Sequence, residues 1–345
     1  MSPNTAVASC TLPGRWRSRP GNVRAVSGAR TAHTRAAIEL SIGIAIFSIQ
    51  DVILKWLSGA YPVHEALAIR SAVATPILFW MVRRAGGLRA ADASWPVLMS
   101  RGALLLVSYG GYYLALAALP LASAVALWFT APLFVTAMSG AITGEPPTRH
   151  QWAAVVVGFG GVLVIVRPGG GLFHWSAALP ILAALGYAAA QLVARRLGSG
   201  TGGSAMAFHQ NLVYGVGAVV TALVVRPFAD VATSDRSMAF LLRGWVVPSP
   251  RDLLLLGLCG PIAAFGTTLL SNAYRAAGSR MAPFEYTAML SAIVWGYVVF
   301  GDRPDVLALG GAAIIVASGT YAVTRARAPA RPPRPPGPTP ASPPG

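Results

Sequence analysis

Two short polar turns, Gly144-Glu145-Pro146-Pro147 and Gly301-Asp302-Arg303-Pro304, lie 157 positions apart, and each separates a pair of long apolar segments. At the same offset Phe129-Thr130-Ala131 falls on Tyr286-Thr287-Ala288. Earlier in the chain the match runs at an offset of 140, where Phe47, Asp51, Lys55 and Leu57 fall on Tyr187, Gln191, Arg195 and Leu197, and Arg70 falls on Gln210. One insertion within residues 226–251, the longest polar connection, accounts for the change of offset. A long-period repeat whose unit is itself apolar constrains the fold more than any single motif.

The repeated unit is expected to span a membrane. The apolar segments run to roughly 18–25 residues, long enough to cross a hydrocarbon layer of about 30 Å as helices. They are apolar all round rather than along one stripe. With 54% hydrophobic and 11% charged residues over 345 positions, and a mean hydropathy of +0.58, an ordinary soluble domain is excluded. Ten spans are expected, at residues 36–57, 63–83, 96–118, 121–143, 150–167, 175–197, 204–225, 252–274, 281–300 and 304–324. Each half then has five, an odd number, so the second half must enter the membrane from the opposite side. The expectation is an all-α integral membrane protein, ten transmembrane helices forming two inverted five-helix repeats. Residues 36–167 make the first repeat (spans 1–5) and 175–324 the second (spans 6–10). A disordered basic tail, 1–35, precedes them, and a Pro-rich, polyproline-like tail, 325–345, follows.

The net charge of +16 is mostly a topology signal. Ten arginines lie in the tails; with the amino terminus inside, nineteen arginines fall on the inner side and six on the outer. Both termini are therefore expected in the cytoplasm. No reading helix or stacking sheet accompanies the basic residues, so no nucleic-acid partner is expected. Residues 1–35 also have the Arg- and Ser-rich, acid-poor look of a transit peptide. Two cysteines, Cys10 and Cys259, exclude a disulfide framework and a multi-cysteine zinc site. Arginine in abundance beside a single lysine points to a GC-rich genome and a bacterial inner membrane.

Several stretches resemble the drug/metabolite transporter superfamily, in particular its EamA-type ten-span permeases. They are the Ala122–Gly144 span with its Gly-Glu-x-Pro end, then Gln151-Trp152 and Gly158-x-Gly160-Gly161. The second copy runs from Met281-Ala-Pro-Phe-Glu-Tyr-Thr-Ala288 to Gly301-Asp302, and Asp51, Lys55, Pro62 and Arg70 belong to the same pattern. The resemblance covers about residues 36–324. It implies a secondary carrier working by alternating access, with no cofactor, no ATP site and no bound metal. The Ala-Pro-Phe-Glu-Tyr run is similar to members that take up cofactor-like metabolites such as S-adenosylmethionine or riboflavin. The last span departs from the pattern: Gly158, Gly160 and Gly161 fall on Ile315, Ala317 and Ser318.

Ionisable groups within spans are costly and each needs a reason. Asp51 and Lys55 stand one turn apart on span 1, and Glu65 and Arg70 lie on span 2. Together they form a charge network that either locks spans 1 and 2 together or makes an external-side site or gate for a charged solute. Glu285 follows Pro283 near the start of span 9 and stands where the first half has Trp128. It either sits favourably at a helix amino terminus or faces a cavity as a proton-coupling or cation-binding carboxylate. Tyr109, Tyr112 and Tyr113 share a face of span 3, and Thr268, Ser271 and Asn272 share one on span 8. Gln191 lies on span 6, and His209, Gln210, Asn211 and Tyr214 on span 7. Singly these polar groups bridge helices; with Trp128 and Tyr286 they could line a polar-aromatic cavity for a ring-bearing metabolite.

The function expected is secondary active transport of a small organic metabolite, proton- or exchange-coupled. The partners are that solute, a proton and the lipid bilayer, in a monomer or homodimer. The alternative is an intramembrane lipid- or prenyl-modifying enzyme. Against it, the chain has no His-Glu-x-x-His, no Gly-x-Ser-x-Gly elbow and no Asp-rich metal motif.

Overall fold

The computed structural model describes residues 21–85, 95–143, 148–167, 175–194, 202–229, 231, 233–277, 285 and 287–324. Among them the regular structure is helical throughout. The helices are α1 (Gly21–Leu57), α2 (Val63–Arg84), α3 (Trp95–Ala118), α4 (Leu121–Trp128), α5 (Ala131–Thr143) and α6 (Arg149–Val166). After them come α7 (Ala178–Ala194), α8 (Gly203–Val225), α9 (Arg236–Leu242), α10 (Pro250–Ala277), α11 (Thr287–Phe300) and α12 (Val306–Thr324). Among the described residues, seven helical segments are long and apolar enough to cross a membrane, and α11 and α12 are shorter apolar helices. The 24-residue α3 is not among the seven. It carries Arg101, Ser108 and the three tyrosines, the side chains that line the interior.

Helix occupies part of each expected span, with two departures. Residues 21–35, expected within a structureless tail, are the first part of α1. Alanines there favour helix, and Arg35 donates to Glu39 one turn on, at 2.8 Å. The expected span 121–143 is broken in two at Phe129-Thr130. Pro132 has no N–H to offer the Trp128 carbonyl. The chain instead bonds Phe129 N to Val125 O and Thr130 N to Leu127 O, and the Thr130 hydroxyl donates to Leu127 O at 2.8 Å.

The most extensive packing pairs are α6 with α12, α1 with α10, α3 with α7, α2 with α8, α2 with α10 and α3 with α8; α4 packs against α11, and α6 and α12 form the closest seam. The last pair meets along glycine. A Cβ on Gly161 would stand 2.8 Å from the Gly311 carbonyl oxygen, and one on Gly311 would stand 2.7 Å from the Gly161 carbonyl oxygen. Only backbones without side chains can approach so closely. Gly158 faces Ser318 in the same seam, which answers how α12 packs without matching glycines there. Lipid-facing positions such as Val156, Leu163 and Val220 remain exposed on the outside of the bundle.

Candidate substrate cavity

A cavity with about 790 Å³ of empty space, its open mouth included, lies among α1, α3, α4, α7, α10 and α11. Its wall is aromatic. Trp128 closes α4 just before the break, with its ring centroid 4.9 Å from that of Tyr187 and 6.1 Å from that of Tyr112. Tyr113, next to Tyr112, and Tyr109, one turn earlier on α3, continue the wall. Two carboxylates, Asp51 and Glu285, reach the same space. Tyr112 donates its hydroxyl proton to Asp51 Oδ2 at 3.0 Å. Gln50 donates to the Tyr113 hydroxyl, which leaves Gln50 Oε1 buried without a partner. The indole Nε1 of Trp128 is likewise buried and unpartnered. The cavity thus offers aromatic stacking faces and two carboxyl groups. That set suits a ring-bearing or cationic organic solute.

Trp128, Tyr109, Tyr112, Tyr113, Glu285 and Asp51, all expected from the sequence, meet here. Other expected residues do not. Gln191 bonds Tyr187 one turn back along α7, behind the wall. His209 Nδ1 pairs with the Ala205 carbonyl at 2.8 Å, and its ring packs edge-on against Trp95. Asn211 donates to Ser71 O at 3.1 Å and to the Thr75 hydroxyl at 3.0 Å, tying α8 to the turn of α2 that precedes Pro76. Asn272 is exposed. Tyr286, and the side chain of Ser271, lie outside the described residues. Tyr187 and Gln50 are site residues that the sequence reading missed; the signal for Tyr187 is its repeat match to Phe47, which also lines the cavity.

The expected four-charge network is not formed. Among the described residues the ion pairs are Arg35–Glu39 and Arg167–Asp305. Lys55 turns away from Asp51 and donates to the carbonyls of Leu116 (3.2 Å) and Leu119, at the end of α3. A cation is well placed there, at the negative pole of a helix with unbonded carbonyls. Glu65 accepts from Val246 N at 3.0 Å, in the segment after α9. Arg70 pairs with neither acid; its guanidinium lies 5.3 Å from the centroid of the Tyr214 ring.

Lys55 belongs to a set of ties at one end of the bundle. Leu121 N donates to Asp302 Oδ2 at 3.2 Å, Arg243 to Ser58 O at 3.1 Å, and Ser237 to Leu114 O at 2.8 Å. Tyr61 donates to Asp252 at 2.7 Å. These bonds tie the helices together at the end of the bundle where α1 and α3 finish.

The fold and the cavity define a class: a multi-pass helical membrane protein whose interior holds a polar-aromatic chamber. Residues 35–167 match the EamA-like transporter family, and curated relatives that align over most of this chain are named as transporters or exporters. The chain is 28% identical to the pseudopaline exporter CntI of Pseudomonas aeruginosa over 78% of this chain and 89% of that one. To the riboflavin transporter of Rhizobium johnstonii it is 28% identical, over 81% and 87% of the two chains. To the S-adenosylmethionine uptake transporter of Rickettsia prowazekii it is 25% identical, over 82% and 90%. A protein of known crystal structure, 17% identical, superposes with a TM-score of 0.55 over 86% of this chain and 96% of its own. That last likeness shows a shared fold.

Proposed function

We propose that the chain is a secondary carrier that moves a small organic metabolite across the bacterial inner membrane by alternating access, with the aromatic-carboxylate cavity as its solute site. The observation that carries this reading is which residues meet across the cavity. Phe47 and Tyr187, matched at the 140 offset, both line it, and so do Trp128 and Glu285, matched at 157. A chamber built from corresponding positions of two halves is what an inverted repeat places at the midplane.

The packing pairs support the same arrangement of ten crossings, with α4 and α5 together making the fourth. Exchange of the two halves turns the α1–α10 pair into α7–α3, and leaves α2–α8, α4–α11 and α6–α12 as themselves. Residues 36–167 and 175–324 are then the two repeats, with both termini cytoplasmic. The ties around Lys55 and Asp302 form the outer gate, and the broken fourth crossing puts a helix end beside the solute, as discontinuous helices do in carriers. Asp51 and Glu285 supply the proton-coupling carboxylates.

The relatives are named for riboflavin, S-adenosylmethionine and pseudopaline, which supports an organic solute for this chamber. The test is uptake of radiolabelled riboflavin and S-adenosylmethionine into proteoliposomes, with chromatography of the recovered label. Saturable entry of an unchanged compound supports the carrier. Recovery of a chemically altered compound, or entry equal to that of protein-free vesicles for both, counts against it.

A further inference from the structure

A second, smaller cavity, about 190 Å³ of empty space with its open mouth included, lies between α2, α8 and α10. It is lined by Arg70, Gln210, Asn211, Tyr214 and Thr267, and by the apolar Leu78. Arg70 is only 4% exposed, and its Nε and Nη1 are buried without a hydrogen-bond partner. A guanidinium cannot give up its charge, so an unpaired one inside a membrane protein calls for an anion.

No ion pair provides one among the described residues: Asp51 is near enough to feel the Arg70 charge but not to bond it. No acidic residue lines this cavity. Asp51 and Glu285 belong to the larger chamber, and Glu65 is bonded to Val246 N. A second cation lies alongside: Arg101, 9% exposed, donates from Nη1 to Gln210 Oε1 at 3.1 Å. Gln210 uses its own Nε2 on the Tyr214 hydroxyl at 3.1 Å, so its amide is held in place and in turn holds Arg101. The Tyr214 ring beneath Arg70 softens the charge without neutralising it.

The two cavities are neighbours. Tyr109 lines the larger one and packs edge-on against Tyr214, which lines the smaller, with ring centroids 6.0 Å apart. The pair of rings is the partition between a chamber with carboxylates and one with arginines. Arg70 and Gln210 are themselves matched at the repeat offset of 140 and face each other across the smaller cavity.

We infer that this smaller cavity is an anion subsite, in which Arg70 receives a carboxylate carried by the solute. This rests on the reading of the chain as a solute carrier. The favoured solute is then amphoteric, and its carboxylate reaches Arg70 only when the Tyr109–Tyr214 contact between the two cavities parts. Arg101 acts through Gln210 as a positioning residue.

The test is equilibrium binding by the purified full chain in detergent, which needs no transport. The probes are sodium acetate, benzoate and glutamate, with benzamide as the uncharged counterpart of benzoate and sodium chloride at equal ionic strength as the salt control. Ligand binding to the folded state raises the apparent melting temperature by mass action. At least one carboxylate is expected to raise it where benzamide and chloride do not. Arg70→Gln should weaken the apparent affinity for that carboxylate about tenfold or more, and Arg70→Lys should retain part of it. Failure of all three carboxylates on the wild type overturns the subsite, as does equal stabilisation by chloride or benzamide. An undiminished response in Arg70→Gln overturns it too. If Arg70→Gln does not fold, the wild-type comparison and Arg70→Lys still decide. Riboflavin uptake that persists after such a failure leaves the carrier reading standing. Carboxylate binding by a protein that moves no solute would instead sink the carrier reading.

Discussion

The glycine seam between α6 and α12 gives the sharpest mutational prediction. Replacing Gly161 by alanine puts a methyl 2.8 Å from the Gly311 carbonyl oxygen and 3.0 Å from side-chain carbons of Ile314 and Ile315. Contacts that short force the two helices apart by several tenths of an ångström, and overpacking of this kind costs about 1–3 kcal/mol. Alanine returns about 0.5–1 kcal/mol of helix propensity. The net expectation for Gly161→Ala, and for Gly311→Ala, is a loss of about 0.5–2 kcal/mol. The adjacent glycines are the controls: a Cβ on Gly160 or Gly310 meets nothing within 4 Å. Gly160→Ala and Gly310→Ala should therefore leave stability unchanged or raise it slightly. Stability is read from thermal unfolding in mild detergent by tryptophan fluorescence, for all four variants side by side. If neighbouring glycines respond alike, the backbones do not meet at this seam and the packing described is wrong.

Other perturbations address the cavity and the tied end of the bundle. Glu285→Gln should abolish solute uptake in proteoliposomes while the protein still elutes as a single folded species; normal uptake would remove Glu285 from the coupling mechanism. Lys55→Met keeps the bulk of the side chain but strips the charged donor from the Leu116 and Leu119 carbonyls. It should weaken the tied end by about 1–3 kcal/mol. The readout is faster labelling, from outside, of a cysteine placed in the cavity, and an unchanged rate would show that Lys55 is no part of the gate. At the ends of α6 and α12, the Ala308 N–H and the Arg167 guanidinium hold the Asp305 carboxyl below the usual carboxylate range. A depressed value means that the stabilisation is present above the ordinary carboxylate pKa and lost as the pH falls through the lowered one. The difference in melting temperature between wild type and Asp305→Asn should thus shrink as the pH drops below about 4. A gap that widens with acid would reverse the sign of the argument.

Much of the interior is legible in the sequence, because apolar runs, their period and the aromatic face of α3 are local features. Helical spacing alone puts Tyr109, Tyr112 and Tyr113 on one face, the repeat adds Trp128, and all four line the cavity. The charges are less readable. Asp51 and Lys55 are one turn apart, yet one takes a tyrosine hydroxyl and the other caps a neighbouring helix. Spacing along one helix cannot reveal acceptors on another, least of all backbone carbonyls. Arg101 has the sequence position of a topology marker but is buried beside Gln210, because a long side chain can follow the helix surface inward. The break at Phe129-Thr130 is obscured for a related reason: a proline near it is tolerated in many membrane helices and does not announce a discontinuity.

The central claim is that solute passes through the chamber walled by Trp128, Tyr187 and Ala288. It is tested most directly with a single cysteine at Ala288, in a background with Cys10 and Cys259 changed to serine, reconstituted into liposomes. Uptake of labelled riboflavin or S-adenosylmethionine, whichever the wild type carries, is measured as that cysteine is progressively modified by a bulky thiol reagent. The account predicts that uptake falls in proportion to the fraction modified and that excess solute slows the modification. Full uptake with the cysteine completely modified would mean that the solute travels by another route.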